Sequence, residues 1–202
     1  EQTAIREIKE ETGIEDIARN FSILSVGATT TQGSFLSSKI ESVAASPKEN
    51  KIFYLFPFEN SHIGITASFA DKNQKQILDI PFGEFSVSWP SERIIALLTK
   101  PSFNIGGYLY KLDPITGSFE NVISGIQGLT ILWSPDSEFI LFNRSGYSGL
   151  ENFIYNTKEN KTSGFGLSTL PEKCAWSKLK KGALYCAVPL SLPGAKYPDD
   201  WY

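Results

Sequence analysis

The sequence predicts an all-β protein built from a repeated four-stranded unit and preceded by a short N-terminal α-helix. The clearest copy of the unit begins with Leu129–Phe142, which reads LTILWSPDSEFILF. Two short apolar runs flank the segment Ser134–Ser137, in which Pro fixes φ and the Ser and Asp side chains can bond the local backbone. This stretch therefore predicts a β-hairpin whose first strand ends at Trp133.

The hairpin recurs along the chain at a nearly constant interval. Each copy has a short apolar strand, a polar turn and a second apolar strand. Aligned on the residue before the turn, the copies are spaced by 44, 44 and 43 residues, at Ala45, Trp89, Trp133 and Trp176. The repeats therefore begin near residues 43, 85, 129 and 173.

A second landmark keeps the same period. Third-strand residues, each followed by a polar turn, are spaced by 43 and 44 residues, at Ala67, Tyr110 and Ile154. Four strands in such an interval is the period of a β-propeller blade. We expect the large aromatic residues at the fixed position to pack between neighbouring blades. We expect Asp136 to be a turn residue rather than a catalytic carboxylate.

The repeat also resembles a known motif. Residues 133–142 are similar to the W-S-P-D-G-x-x-I-x-F signature of TolB-like, WD-type propeller repeats. Ser46-Pro47 and Trp89-Pro90 are degraded copies, and Trp176-Ser177 keeps only the start. The resemblance covers about residues 43–202. It implies either a periplasmic or cell-surface interaction module or a non-catalytic propeller attached to a serine peptidase.

The sequence leaves the number of blades open. Three full repeats and a partial fourth lie at the lower limit for a closed ring. Either the strands predicted at Phe21–Val26 and Phe35–Ile40 complete the fourth blade, or the chain is part of a larger propeller. The sequence begins at Glu1 and contains no Met, which indicates a processed chain or a piece of a longer protein.

Composition excludes some classes of partner. The 202 residues carry a net charge of −3 with a pI near 5.3 and are 13% aromatic. No basic footprint indicates a nucleic-acid partner. No apolar run is long enough to cross a bilayer, so no membrane span is expected.

Residues 1–20 differ from the rest and are predicted to be a separate helical segment, with the propeller repeats over 21–202. Ala4, Ile5 and Ile8 share one face at helical spacing, and Gly13 suits the left-handed residue that ends a helix. We therefore expect a helix over roughly residues 2–12.

Residues 6–14, REIKEETGI, are similar to the second half of the Nudix box, R-E-U-x-E-E-x-G-U, in which U is aliphatic. The resemblance implies that Arg6 orients the carboxylates of Glu7, Glu10 and Glu11, which would hold Mg²⁺ and a diphosphate. The first half of the box lies before residue 1 or does not exist. The alternative is an amphipathic helix with a solvated acidic face.

The two cysteines, Cys174 and Cys186, are symmetric about the turn predicted at Lys178–Gly182. In a symmetric antiparallel hairpin they would face each other, and a non-hydrogen-bonded pair has Cα atoms about 4.5 Å apart, within disulfide range. We expect a disulfide, which implies an oxidising compartment; the alternative is two small buried apolar residues. Two Cys and one His cannot supply a tetrahedral metal site alone, so no metal is expected.

A binding surface is expected on the links between the second and third strands of the blades, because binding residues sit on loops held by a rigid sheet. We predict these links to be long and to gather on one face. They are Pro57–Ile63, Lys100–Gly107, Asn143–Asn152 and Pro189–Asp200. The candidate binding residues are Phe58, His62, Phe103, Arg144, Tyr147, Tyr197 and Trp201. Exposed aromatics would suit a protein or glycan partner; alternatively, they pack down and order the loops.

The predicted function is thus a non-enzymatic, extracytoplasmic propeller module that binds a protein or a glycan and needs no cofactor. The lone His62 and the absence of a G-x-S-x-G elbow do not indicate a catalytic triad. Two alternatives remain. One is a Mg²⁺-dependent Nudix-type diphosphate hydrolase, or a remnant of one. The other is the propeller of a serine peptidase.

Overall fold

The computed structural model describes residues 40–69, 73–146 and 149–200. Within these residues the chain is all-β, as predicted, with fourteen strands and one short 3-10 turn at Pro171–Lys173. The predicted N-terminal helix, the strand predicted at Phe21–Val26 and most of the strand predicted at Phe35–Ile40 lie outside the described residues. Each sheet takes its strands in chain order, which is the arrangement of a propeller blade.

The first sheet is an antiparallel meander. Its strands are β1 (Ser42–Ala45), β2 (Lys51–Phe58), β3 (Ser61–Ser68) and β4 (Lys75–Ile80). β2 is an unbroken apolar run because both faces of the sheet are covered, and Ile52–Phe56 are at most 2% exposed. Gly64 is required on β3, since a Cβ there would lie 2.7 Å from the Phe53 ring.

The second and third sheets repeat this four-stranded plan. The second contains β5 (Phe85–Ser91), β6 (Ile94–Thr99), β7 (Gly106–Leu112) and β8 (Phe119–Gln127). The third contains β9 (Ile131–Trp133), β10 (Phe139–Gly146), β11 (Gly149–Asn156) and β12 (Lys161–Gly164). The hairpin predicted from Leu129–Phe142 is therefore confirmed as β9 and β10.

The turn of that hairpin is held by its own side chains. The Asp136 carboxylate accepts hydrogen bonds from the Ser134 hydroxyl at 2.6 Å and from the Glu138 N–H at 3.2 Å. The Ser134 hydroxyl accepts one from the Phe139 N–H at 2.9 Å. Asp136 is thus a turn residue, as predicted. Ser137 has a φ of 55°, the left-handed conformation that explains the Gly of the repeat signature.

The fourth sheet has two strands in the described part of the chain, β13 (Cys174–Trp176) and β14 (Leu184–Cys186). Cys174 lies opposite Cys186, and a disulfide joins them with Cα atoms 4.0 Å apart. The adjacent pair is hydrogen-bonded, since the Ala187 N–H donates to the Lys173 carbonyl at 2.9 Å. The cysteines therefore occupy a non-hydrogen-bonded pair, and the predicted disulfide is confirmed.

Trp176, at the repeated aromatic position of the fourth hairpin, packs against the third sheet. The Trp176 indole N–H donates to the Leu132 carbonyl at 3.3 Å, and its ring stacks on Phe139 with centroids 6.2 Å apart. At the equivalent positions Trp89 is 7% exposed, and Ala45 packs against the core of the first sheet. The prediction of scaffold tryptophans is therefore confirmed at Trp176.

The chain divides into two compact units. The first comprises the described residues of Glu1–Leu97 together with Lys111–Glu120, and the second comprises Leu98–Tyr110 with the described residues of Asn121–Tyr202. The core of the first unit is built on Ile52, Tyr54, Phe56, Ile63, Ile65 and Ala67. In the second, Leu150, Leu170 and Tyr197 form a buried cluster against which the chain after β14 packs.

Candidate functional site

Two of the four links predicted to be long are tight hairpins. Phe58 ends β2 and pairs with Ser61 at the start of β3, so the turn is only two residues long. β10 and β11 likewise pair as far as Gly146 and Gly149. The expectation of long loops at Pro57–Ile63 and Asn143–Asn152 is therefore wrong. Glu59 permits the first turn by adopting a φ of 53°.

Two buried asparagines explain why a long loop was wrongly expected at Asn143–Asn152. Asn143 and Asn152 face each other across β10 and β11 and are at most 3% exposed, although their polarity suggests a loop. The Asn143 amide donates to the Gly128 carbonyl at 2.9 Å and accepts from the Thr130 N–H at 2.8 Å. The Asn152 amide donates to the Thr169 carbonyl at 2.8 Å. Each side chain supplies hydrogen bonds to backbone groups of a neighbouring segment. Both asparagines therefore belong to strands rather than to a loop.

The other two links are loops, as predicted. Residues 100–105 connect β6 to β7, and residues 187–200 follow β14 without forming a strand. Each contributes a buried aromatic side chain, because Phe103 is 8% exposed and Tyr197 is 4% exposed. Phe103 and Tyr197 therefore pack down and order their loops, which is the alternative stated above, and they do not form an exposed binding surface.

Parts of three predicted links line one cleft of about 610 Å³ in the second unit. The contributions come from the 100–105 loop, from the end of the β10–β11 hairpin and, most extensively, from the segment after β14. The lining is mainly apolar or small. It consists of Phe103, Gly146, Gly149, Leu150, Ser168, Val188, Pro189, Leu190, Ser191, Leu192, Pro193, Gly194, Ala195 and Lys196.

The cleft has an ordered floor and an exposed rim. Tyr197 is buried against Leu150, and its hydroxyl donates to the Pro193 carbonyl at 2.8 Å, which fixes the segment above it. On the rim, Val188 is 44% exposed and Leu190 is fully exposed. Aliphatic side chains held in water beside an apolar cleft are the kind of surface that a partner covers.

Lys196 is the charged side chain of the lining. Two acidic residues follow shortly after it, but their carboxylates accept backbone hydrogen bonds. Asp199 accepts from the Phe103 N–H at 3.2 Å, and Asp200 accepts from the Lys196 N–H at 2.7 Å. Within the described residues, the Lys196 ammonium forms no ion pair. The cleft therefore combines apolar walls with one available positive charge.

Among the described candidate residues, Arg144 and Phe58 do not line the cleft. Arg144, on β10, pairs with Glu151 at 2.6 Å and lies over the Phe153 ring, 5.2 Å from its centroid. Phe58 is half-buried at the end of β2. Tyr147 and Trp201 lie outside the described residues. Arg144 and its partners are exposed or half-buried, which leaves them accessible to a ligand.

His62 is a strand residue of the first unit, not the exposed loop residue expected. It lies on β3, where its Nε2 is 3.4 Å from a carboxylate oxygen of Glu41 and its side chain is 20% exposed. Gly83 lies against the imidazole ring, and a Cβ at this position would lie only 2.0 Å from Nε2. Among the described residues, no three His, Cys, Asp or Glu side chains are grouped to hold a metal. Glu7, Glu10 and Glu11 of the Nudix-like segment lie outside the described residues.

A separate charge network joins the turn of the third hairpin to that of the fourth. The Lys181 ammonium lies 2.6 Å from Glu138 and 3.3 Å from Asp136, and Lys158 also pairs with Glu138 at 2.9 Å. The Ser134 hydroxyl, with Lys181, holds the pKa of Asp136 below its usual range. Lys181 and Lys158 lower the pKa of Glu138 in the same way. We assign this network to structure because its charges satisfy one another.

Sequence reasoning missed the residues that make the cleft distinctive. Leu190 and Lys196 lie in the predicted link Pro189–Asp200, and Val188 directly precedes it. None of the three is a candidate binding residue, because the candidates are aromatic, His and Arg side chains. A run with two prolines and no strand pattern after β14 is the available indication.

The repeated antiparallel four-stranded sheets define the class of the protein, which is a β-propeller. No family model matches the sequence, and no curated protein matches it. Solved structures do match. An acylaminoacyl peptidase bound to a peptide chloromethyl ketone is 9% identical with a TM-score of 0.51, over 68% of this chain and 26% of the peptidase.

Two further similar structures are propellers of bacterial and archaeal origin. TolB from Acinetobacter baumannii is 16% identical with a TM-score of 0.49, over 78% of this chain and 45% of TolB. The β-propeller domain of the Trilobed protease from Pyrococcus furiosus is 11% identical with a TM-score of 0.45, over 63% of this chain and 42% of that domain. The chain thus spans about half or less of these structures, and the similarity concerns the fold. These three similarities give no support to a Nudix domain.

Proposed function

We propose that this chain is a non-enzymatic β-propeller binding module that engages another protein through the cleft of its second unit. The observation that carries the proposal is the rim of the cleft, where Leu190 is fully exposed and Val188 is 44% exposed beside an apolar lining. Exposed aliphatic side chains that adjoin an apolar cleft form a contiguous patch of the kind that marks an interaction site.

The lining favours a protein over a glycan. Sugar rings are held by exposed aromatic faces and dense polar side chains, whereas the one aromatic residue of this lining, Phe103, is 8% exposed. The walls are aliphatic, with proline and small residues between them. Such walls suit the side chains of a protein segment.

The disulfide supports an extracytoplasmic location. Cys174 and Cys186 form a bond that persists in oxidising compartments and is rare in the cytosol. In the parts of the chain that the structure describes, no helix has the length and apolarity of a membrane span. We therefore propose that the module acts in the periplasm or at the cell surface.

The two other functions remain predictions. The Nudix-type hydrolase depends on Arg6 and the three glutamates of residues 1–20, which we propose to be a segment separate from the repeats. Incubation with Mg²⁺ and nucleoside diphosphate derivatives tests it, and the absence of diphosphate-bond cleavage at high protein concentration removes it. The peptidase-propeller alternative requires a catalytic domain elsewhere in a longer protein.

Photo-cross-linking from a matched pair of leucines tests the binding function. Leu190 on the cleft rim and Leu179 on the turn of the fourth hairpin are both fully exposed. Each is replaced in turn by p-benzoylphenylalanine, and the purified protein is irradiated with an extract of its source organism. We expect a discrete cross-linked protein from position 190 and none from position 179.

The cross-linked protein is then purified and titrated against the wild-type chain. We expect micromolar or tighter binding, about 8 kcal/mol. A Gly194→Trp variant, in which the new side chain occupies open space of the lining, should bind more weakly. Equal cross-linking from both leucines, or unaltered binding by the variant, would refute the assignment of the cleft.

A further inference from the structure

The segment that forms most of the cleft has backbone groups without protein partners. Six residues of Val188–Ala195 have an N–H, since Pro189 and Pro193 have none. In the described chain none of these six N–H groups donates a hydrogen bond to another protein group. The Pro193 carbonyl is occupied by the Tyr197 hydroxyl. The segment therefore has main-chain donors available to a molecule that lies against it.

Both ends of this segment are anchored by contacts with the rest of the second unit. At one end the disulfide ties Cys186 to β13, and the Ala187 carbonyl accepts a hydrogen bond from the Thr169 hydroxyl at 2.8 Å. At the other end Tyr197 is buried beneath the segment. A partner would not need to order this loop on binding, which lowers the entropic cost of association.

We propose that the cleft binds an extended peptide segment of a partner protein in which apolar residues alternate with acidic ones, an inference that rests on the protein-binding function proposed above. The apolar side chains enter the space between Leu150 and the aliphatic rim. One acidic side chain, on the face of the extended peptide opposite its apolar residues, pairs with the exposed Lys196 ammonium. The peptide carbonyls accept hydrogen bonds from the N–H groups of Val188–Ala195 that have no partner in the described chain.

The positive charge of Lys196 should make the cleft prefer acidic peptides over neutral or basic ones. Lys196 is the charged side chain of the lining and is exposed, while Asp199 and Asp200 already accept backbone hydrogen bonds. A carboxylate beside Lys196 gains attraction, and a second cation there is repelled. For an exposed pair this preference corresponds to a factor of about two to five in affinity.

The test uses defined peptide pools and the purified, oxidised chain. The acidic pool contains fluorescein-labelled pentapeptides with Asp at positions two and four and Leu, Ile, Val or Phe at the other three. The neutral pool has Asn in place of Asp. Fluorescence anisotropy of each pool is titrated with wild-type protein, Lys196→Gln and Lys196→Arg. We expect the wild type and Lys196→Arg to prefer the acidic pool about two- to fivefold, and Lys196→Gln to bind both pools equally.

A third pool examines the main-chain contribution. It matches the acidic pool except that the central amide is replaced by a trans-alkene, which removes its carbonyl acceptor and its N–H while keeping the side chains and the extended geometry. Loss of one hydrogen bond should weaken binding about fivefold. Equal binding of the acidic and neutral pools by the wild type, or an acidic preference that persists in Lys196→Gln, overturns the inference. Unchanged affinity of the pool with the alkene in place of the central amide also overturns it.

The outcomes separate this inference from the function on which it rests. A specific cross-link from position 190, combined with no preference among peptide pools, leaves a protein-binding cleft but removes the acidic extended peptide as its ligand. A chitohexaose titration forms a further arm, and saturable binding of that oligosaccharide with no peptide binding overturns both proposals in favour of a glycan site.

Discussion

Removal of the disulfide should lower stability by about 2–3 kcal/mol. The bond between Cys174 and Cys186 closes a loop with a sequence separation of 12. In the chain-entropy description, a loop of this length restricts the unfolded chain by about 2.8 kcal/mol at 25 °C. The double change Cys174→Ala and Cys186→Ala leaves a small apolar side chain at each position. The native hairpin should otherwise keep its pairing.

Urea denaturation followed by tryptophan fluorescence measures this effect, because Trp176 lies on the same strand as Cys174 and packs on Phe139. With a slope of about 1–3 kcal/mol per molar urea, the midpoint should fall by roughly 1–3 M. Wild-type protein unfolded in the presence of reductant should match the double variant. An oxidised wild type with the same midpoint as both would refute the chain-entropy reasoning for this hairpin.

Three other changes test the scaffold. Ser137→Gly should raise the free energy of unfolding by about 1 kcal/mol, because Ser137 has a φ of 55° and a buried, unpartnered hydroxyl; a lower melting temperature would contradict this. Asn143→Ala should lower it by about 2–4 kcal/mol, since the Gly128 carbonyl and Thr130 N–H lose their partner; an unchanged urea midpoint would show that water replaces the amide. Because the pKa of Asp136 is lowered in the folded state, its contribution to stability is present above the unfolded value of about 3.9 and is lost as pH falls through the folded value. Lys181→Met should therefore flatten the decline in urea midpoint between pH 5 and pH 2.5, and identical pH profiles would exclude this ion pair from the acid response.

The repeat was predictable because each of its signals is local. The residues Ala45, Trp89, Trp133 and Trp176 recur every 43 or 44 positions, and each lies at the end of a first strand or within two residues of it. The disulfide was predictable for the same reason. A symmetric hairpin converts sequence distance from the turn directly into strand register, and Cys174 does face Cys186.

The cleft was only partly predictable because its residues come together through tertiary contacts. The N–H of Phe103 binds the carboxylate of Asp199, 96 positions away, and no local pattern encodes that contact. The polarity of Asn143 and Asn152 also led to a wrong prediction, because polar residues at these positions suggest a loop. In the fold each amide satisfies backbone groups of a neighbouring segment, so a polar side chain is stable inside a strand.

Function is most readily placed where the chain departs from its own repeat. In the first and third sheets the link between the second and third strands is two residues long, and in the second it is six. After β14 no strand follows through Asp200, and the backbone donors of Val188–Ala195 have no protein partners in the described chain. The strands and tryptophans are constrained by packing, so substitutions there change stability before they change binding. The segment after β14 has no such constraint above its buried Tyr197, which makes it the part of the chain where a binding specificity can be altered without loss of the fold.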